Sequence, residues 1–158
     1  MTAPTPLQRE IRQRRPFASV AQEGVVSVMR TADLLRRHMA ALVEPFGITV
    51  QQFNVLRILR GGGPDGLPTL EVGSRMVEEA PGVTRLLDRL EAKGLVRRQR
   101  CPKDRRQHLC WITRQGLDLL AALDEPVVRH SREALKGLTR DEQSALVRLL
   151  DQVRAAHA

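Results

Sequence analysis

Positive charge is concentrated in one part of this chain, between Lys93 and Arg114. Eight of these 22 residues are Lys or Arg and one, Asp104, is acidic, so the segment carries +7 of the chain's net charge of +8. Lys and Arg that bind nucleic acid release its condensed counterions, and such a cluster therefore favours a polyanionic partner. Charge alone would also suit an RNA-binding or membrane-surface protein, so the elements that carry the charge must decide.

A helix is predicted just before this segment, because Pro81 suits a first helical turn and Gly94 suits the residue after a helix end. Its apolar positions, at helical spacing, are Val83, Leu86, Leu87 and Leu90. Its opposite face presents Gly82, Thr84, Arg85, Asp88 and Arg89. In a DNA major groove Arg can donate two hydrogen bonds to guanine, and Thr can contact a phosphate or a thymine methyl group. The alternative is an ordinary solvated face, which a basic hairpin directly behind the helix makes less favoured.

Two strands are predicted over residues 95–100 and 108–112, around the polar tip 102–107. Two short helices followed by such a hairpin form a winged helix-turn-helix, with the hairpin as the wing. The candidate DNA contacts at the tip are Lys103, Asp104, Arg105 and Arg106. An arginine on this arm can enter a narrow minor groove, and Asp104 would hold an arginine or the turn in shape.

The rest of the chain is predicted to be mainly helical. The predicted helices cover residues 19–43, 49–60, 70–79 and 114–123, and a last one begins at the capping box Thr139–Glu142. In the 70–79 helix the expected inward-facing residues are Leu70, Gly73, Met76 and Val77. Pro126 is expected to kink or split the apolar stretch that follows residue 114. The run Gly61–Gly66 is interpreted as a flexible connector, because it lacks the Lys-Ser/Thr of a phosphate-binding loop.

These segments together resemble the MarR family of winged helix-turn-helix transcriptional regulators. The resemblance rests on the run from Thr84 to Val96, on Asp104-Arg105-Arg106, and on Ile112-Thr113-Arg114-Gln115-Gly116. It implies that Thr84, Arg85 and Arg89 lie at major-groove positions. It also implies that Asp104 and Arg106 form the family's Asp-x-Arg wing element, with Arg106 in the minor groove.

The expected fold class is mainly α with a small β-hairpin wing, in which helices from both ends of the chain form a dimerisation region. We assign residues 1–18 to a flexible basic arm, 19–46 to a dimerisation helix, 47–115 to the winged DNA-binding domain and 116–158 to C-terminal dimerisation helices. The resemblance implies a homodimer, and the apolar stripes at 25–43 and 146–153 agree, because one small domain has little else to cover them. Two-fold symmetry then predicts a pseudo-palindromic operator.

The resemblance also implies an effector pocket between the dimerisation helices and the winged domain. The residues of this chain that would line it are His38, Met39, Leu42, Phe46 and Phe53. Residues at this helical spacing also fit an ordinary hydrophobic core, and both interpretations stay open.

The two cysteines, Cys101 and Cys110, both fall on the predicted wing strands. If the hairpin turns near residues 104–105, they share one face as diagonal neighbours, roughly 7–8 Å apart. A redox switch, or a soft-metal site that includes His108, is then one hypothesis. Two small apolar side chains under the wing are the other, and the more favoured.

Three functions remain in competition. The first is a homodimeric repressor of double-stranded DNA that a small-molecule effector releases; the others are a winged-helix protein-interaction module and a nonspecific architectural protein. We expect no enzyme, because no Ser or Cys stands with His and an acid in a recognisable motif, and we expect no cofactor or metal. No apolar run reaches the roughly 18–20 residues of a membrane helix, and the first thirty residues lack a sustained apolar run, so we expect no secretory signal. We therefore expect a cytoplasmic protein without a membrane partner.

Overall fold

The computed structural model describes residues 3–79, 82–102 and 107–157. The helices are α1 (Pro6–Glu10), α2 (Val20–Val43), α3 (Val50–Arg60), α4 (Thr69–Ser74), α5 (Val83–Ala92), α6 (Arg114–Ala134) and α7 (Arg140–Ala155). The strands β1 (Leu67–Pro68), β2 (Val96–Arg100) and β3 (His108–Ile112) form an antiparallel sheet in the order β1–β3–β2. The expected fold class, mainly helical with a small wing, is confirmed. The chain divides into two compact units, one up to His38 and one from Met39 onward.

In the first unit, α1 is a short helix that the hydrophobic pattern did not predict. Its signal is local: Thr5 and Gln8 form a capping box, in which each side chain accepts a hydrogen bond from the other residue's backbone N–H. Gln8 is only 6% exposed, and its amide also donates to the Arg15 carbonyl at 3.2 Å. The basic arm is therefore ordered from Thr5 to Arg15 by this helix and by the bond from Gln8 to Arg15.

In the second unit, one hydrophobic core joins α3, α5, the sheet and α6. Its buried members are Val43, Ile48, Phe53, Val55, Leu56, Leu59, Leu67, Val72, Leu86, Leu87, Leu90, Leu95, Val96, Cys110, Leu120 and Leu123. The helix α3 begins where the sequence predicts, because Thr49 and Gln52 form a capping box. The core holds the base of the wing and the helix before it in fixed relation.

The strand β1 was missed, and it changes the interpretation of the Gly61–Gly66 connector. Leu67 pairs with Cys110, and the indole N–H of Trp111 donates to the Pro64 carbonyl at 2.9 Å. Gly66 has a φ of +73° and packs so closely on the Trp111 ring that a Cβ atom would overlap it. The connector is thus tied to β3 at Pro64 and Gly66.

The prediction for α4 was wrong in both extent and orientation. The helix ends at Ser74, and Leu70 and Val77, which were expected to face inward, are 81% and 84% exposed. The Val77 N–H is bonded to the Asn54 side chain at 2.9 Å and so cannot continue the helix. A threonine before a helical stretch is a common N-cap, but Thr69 is the first residue of α4, and its hydroxyl donates to the His108 carbonyl at 3.3 Å.

The C-terminal helices differ from expectation at one point. The helix α6 is continuous from Arg114 to Ala134 with Pro126 inside it, so the end predicted at residue 123 and a split at Pro126 are wrong, while a kink stays a prediction. Proline removes one helical hydrogen bond, but burial of Leu120 and Leu123 on this helix offsets that cost. The helix α7 begins as predicted.

Candidate nucleic-acid interface

The helix α5 buries one face and exposes the other, as the spacing of its leucines requires. Leu86, Leu87 and Leu90 lie in the core. The opposite face carries the exposed candidate contacts Gly82, Thr84, Arg85 and Arg89. The N-cap of α5 is Gly82, which has a φ of +103°. Because glycine lacks a side chain, Gly82 cannot accept a side-chain capping hydrogen bond from the first turn of the helix. No side-chain cap therefore satisfies the N–H groups of Val83 and Thr84, which are of the kind that bind an anion such as a phosphate.

The face that α5 exposes is fixed to the wing by Arg98, which sequence reasoning missed. The Arg98 guanidinium donates to Glu91 at 2.7 and 2.9 Å and to Asp88 at 2.5 Å. Its backbone N–H also donates to Glu91, at 3.1 Å. We call Arg98, Asp88 and Glu91 the Arg98 ion-pair cluster. It joins the exposed side of α5 to strand β2.

The Arg98 side chain is 17% exposed, which is low for an arginine. Partial burial alone lowers the pKa of Arg98, but the hydrogen bonds and charges of Glu91 and Asp88 outweigh it and raise the pKa above its ordinary value. Arg98 therefore stays charged and paired. The alternation of strand residues could have indicated this role, because Arg98 lies on the same inner face of β2 as Val96. An arginine on a buried face needs acidic partners.

The outer face of the wing is also basic. The Arg97 guanidinium lies over the Trp111 ring, 4.2 Å from its centroid, and Arg100 is exposed. The backbone of Cys101 bonds to Gln107 at 2.9 Å, beyond the end of the two strands. The candidate residues Lys103, Asp104, Arg105 and Arg106 lie outside the described residues.

The expectation that Cys101 and Cys110 share one face of the wing is wrong. Arg98 pairs with Cys110 and Arg100 with His108, one residue away from the register that the expectation needed. A shift of one residue exchanges the two faces of a strand, so Cys101 follows the outer face while Cys110 is buried. Among the described residues, no three or more His, Cys, Asp or Glu side chains lie close enough together to hold a metal ion.

Cys110 is placed as a structural residue. Its thiol lies 3.6 Å from the Thr69 hydroxyl. Burial raises the pKa of the Cys110 thiol above its ordinary value, against the smaller opposing effects of Thr69 and Arg98. Because the thiolate is the reactive form, this environment slows oxidation and alkylation.

A cavity of about 160 Å³ lies within the second unit and brings two of the effector-pocket candidates together. Its lining residues are Met39, Val50, Gln51, Phe53, Asn54, Arg57, Met76, Val77 and Glu78. Leu42 packs against the core and Phe46 is exposed, while neither lines the cavity. His38 is exposed and belongs to the first unit. Arg57, Met76 and Val77 were not among the candidates.

A short helix, a turn, a second helix with an exposed polar face, and a hairpin that packs on both define a winged helix-turn-helix protein. The sequence model of the MarR family matches residues 46–107. The crystal structure of a MarR transcription factor from Planctomyces limnophilus is 38% identical, with a TM-score of 0.67, over 87% of this chain and 99% of that one. The chain belongs to the MarR family.

Two further relatives agree. The HTH-type transcriptional regulator TtmR of Methylorubrum extorquens (strain PA1) is 34% identical over 81% of this chain. The chain spans 64% of the length of that regulator. The fold also matches Sco3205 of Streptomyces coelicolor, a MarR family transcriptional regulator solved in complex with DNA. Its TM-score is 0.78 and its identity 23%, over 90% of this chain and 94% of that one.

Membership of a family of transcription regulators confirms the expectation that the chain is not an enzyme. No helix in the described ranges has the length and hydrophobicity of a membrane span.

Proposed function

We propose that this chain is a sequence-specific DNA-binding transcriptional regulator. The observation that carries the proposal is the exposed face of α5. Thr84, Arg85 and Arg89 are exposed on this face, and the Arg98 ion-pair cluster fixes the helix to the wing. A rigid helix with Arg and Thr on one face can read base edges in a major groove. The DNA complex of Sco3205, a relative in fold, supports this assignment. Lys103, Asp104, Arg105 and Arg106 complete the proposed interface from the sequence alone.

The proposed regulator acts as a homodimer on a pseudo-palindromic operator. Support comes from large apolar side chains that remain exposed in each unit: Val25, Val28 and Met29 on α2, and Val147, Leu149 and Val153 on α7. Exposed apolar stripes of this kind mark interaction surfaces. Two copies related by a two-fold axis would place two α5 helices in successive major grooves. We propose that the bound dimer represses transcription, because it obstructs access to the operator.

The proposed effector is a small aromatic acid that binds in the cavity beside Phe53. Arg57 lies with its guanidinium 5.9 Å from the centroid of the Phe53 ring and offers a partner for a carboxylate. Val77 and its neighbour Glu78 line the cavity in the turn that leads to α5, and Asn54 holds the Val77 N–H. If the ligand binds more tightly to a form of the protein in which this turn is shifted, it favours that form over the DNA-binding form. The affinity for the operator then falls by the ratio of the ligand's affinities for the two forms.

The test is selection of bound sequences from random duplexes, followed by salt titration on the selected duplex and on a scrambled one. A sequence-specific regulator shows a steep salt slope and keeps its preference for the selected duplex. A nonspecific architectural protein shows the slope without the preference, and a protein-interaction module shows neither.

Arg85→Ala should relax the sequence preference, with Arg132→Ala as an exposed control. Arg106→Ala should weaken binding without loss of stability. Equal weakening on all sequences would reduce Arg85 to a phosphate contact.

A further inference from the structure

The basic segment that follows α1 is held in a defined shape by polar contacts within the first unit. The Gln8 and Gln13 side-chain amides both donate to the Arg15 carbonyl, at 3.2 and 2.8 Å, and the Gln13 N–H donates to the Gln8 carbonyl at 2.9 Å. Arg12 adopts a φ of +54°, a left-handed turn that few non-glycine residues take. We call residues 12–15 the basic loop. Three glutamine-centred bonds thus fix a loop that is rich in arginine.

The charges of the basic loop have no partners among the residues that the structure describes. Arg12, Arg14 and Arg15 are exposed, and none of their guanidinium groups makes a hydrogen bond or ion pair to any part of the chain that the structure describes. The nearest acid in sequence, Glu10, is already bound to Arg30 at 2.8 Å. Elsewhere in the first unit, Arg30, Arg36 and Arg37 share Asp33. The loop therefore presents three uncompensated positive charges within four residues.

We propose that the basic loop binds the phosphate backbone of the DNA duplex that the winged unit reads, as a second and sequence-independent contact. The inference rests on the proposed function. Arginine matches the geometry of phosphate oxygens through its fixed fork of N–H donors, and a loop that is already ordered loses little conformational freedom when it binds. The loop lies outside residues 46–107, which the family model matches.

The test compares salt slopes on the selected operator duplex. The triple variant Arg12→Gln, Arg14→Gln, Arg15→Gln should lower the slope by about 0.9 for each phosphate released, hence by about 2 to 3 per chain. The control is Arg132→Gln, Arg140→Gln, Arg148→Gln, which removes the same charge from exposed positions of α6 and α7 and should leave the slope at the wild-type value. Gln8→Ala keeps every arginine but removes the amide that holds the loop, and should weaken binding at physiological salt.

Each outcome decides between the two proposals. If the wild-type protein does not prefer its selected duplex to a scrambled one, the proposed function fails. If that preference holds and the triple variant keeps the wild-type slope, or the control loses as much, the loop does not contact DNA. Binding of the wild type and of the triple variant to anionic vesicles is measured as well. If the triple variant loses binding to the vesicles and keeps the wild-type salt slope on DNA, the partner of the loop is a membrane surface and the inference is overturned.

Discussion

The helices α5 and α7 are both amphipathic, yet they are stabilised by different parts of the molecule. In α5 three leucines are buried in the core and the Arg98 ion-pair cluster fixes the outer side. In α7 no residue is buried, and the helix is defined at its start by the Thr139–Glu142 capping box. The amide of Gln143 adds bonds to the carbonyls of Leu135 and Leu138 at 3.3 and 3.0 Å.

This contrast separates what the chain completes alone from what it leaves open. The reading helix has a fixed orientation because its own chain covers its apolar face. Three apolar side chains of α7, Val147, Leu149 and Val153, stay exposed, which is costly unless another surface covers them. The interface that reads DNA is thus built within one chain, and the surface proposed for dimerisation requires a second.

The largest expected effect is the loss of a buried leucine in α5. Leu87 is fully buried, so Leu87→Ala should lower the free energy of unfolding by about 2–5 kcal/mol. The matched control is Leu149→Ala in α7, which should change it by about 0.5 kcal/mol or less at a protein concentration too low for self-association. Chemical denaturation measures both. Equal losses at the two positions would show that α7 is covered within the chain.

The second effect concerns the open face of α7. Leu149→Lys places a charge in the proposed dimer interface and should raise the dimer dissociation constant at least about tenfold, or about 1.4 kcal/mol. Gln152→Lys adds the same charge at an exposed polar position of the same helix and serves as the control. Sedimentation over a range of concentrations gives the constants. Unchanged self-association in the Leu149 variant would remove α7 from the interface.

The third effect tests the anchoring of α5 to the wing. Arg98→Ala should destabilise the protein by about 1 kcal/mol, a value reduced from that of a buried ion pair because Asp88 and Glu91 are 53% and 38% exposed. Its neighbour Arg97 faces the opposite side of β2, and Arg97→Ala should cost about half as much or less. Urea denaturation distinguishes them. A larger loss for Arg97→Ala would contradict the assigned faces of β2.

The smallest effect is a pH dependence at the start of α7. Hydrogen bonds from the backbone and hydroxyl of Thr139 lower the pKa of Glu142 below its ordinary value of 4.5. A lowered folded pKa gives stability that is present above pH 4.5 and lost as the pH falls through the folded value. Glu142→Gln should therefore show a shallower loss of thermal stability on acidification. Asp141→Asn, which removes a neighbouring carboxylate, is the control, and an equal flattening there would assign the effect to general helix-end charge.

Sequence predicted the elements whose cause is local. The N-cap at Thr49, the capping box at Thr139 and the leucine spacing of α5 placed three helices correctly, because each depends on residues within one or two turns. One helix with a local cause was nevertheless missed, because the capping box of Thr5 and Gln8 that begins α1 was overlooked. Two other differences depend on distant partners. The pairing of Leu67 with Cys110 creates β1, and the capture of the Val77 N–H by Asn54 ends α4.

The candidate site divides in the same way. Helical spacing identified the exposed face of α5, but the role of Arg98 required the register of β2 against β3, which sequence does not supply. The same register decided the faces of Cys101 and Cys110, where a difference of one residue reversed the expectation. The contacts expected at residues 103–106 stay predictions.

The position of Trp111 gives the protein an intrinsic optical probe. It is the only tryptophan in the chain, and its indole touches the Pro64 carbonyl on one side and the Arg97 guanidinium on the other. Fluorescence excited selectively in tryptophan therefore originates entirely from the base of the wing. Any event that draws Arg97 away from the ring changes the polarity around the emitter, so movement of the wing can be followed in the unlabelled protein.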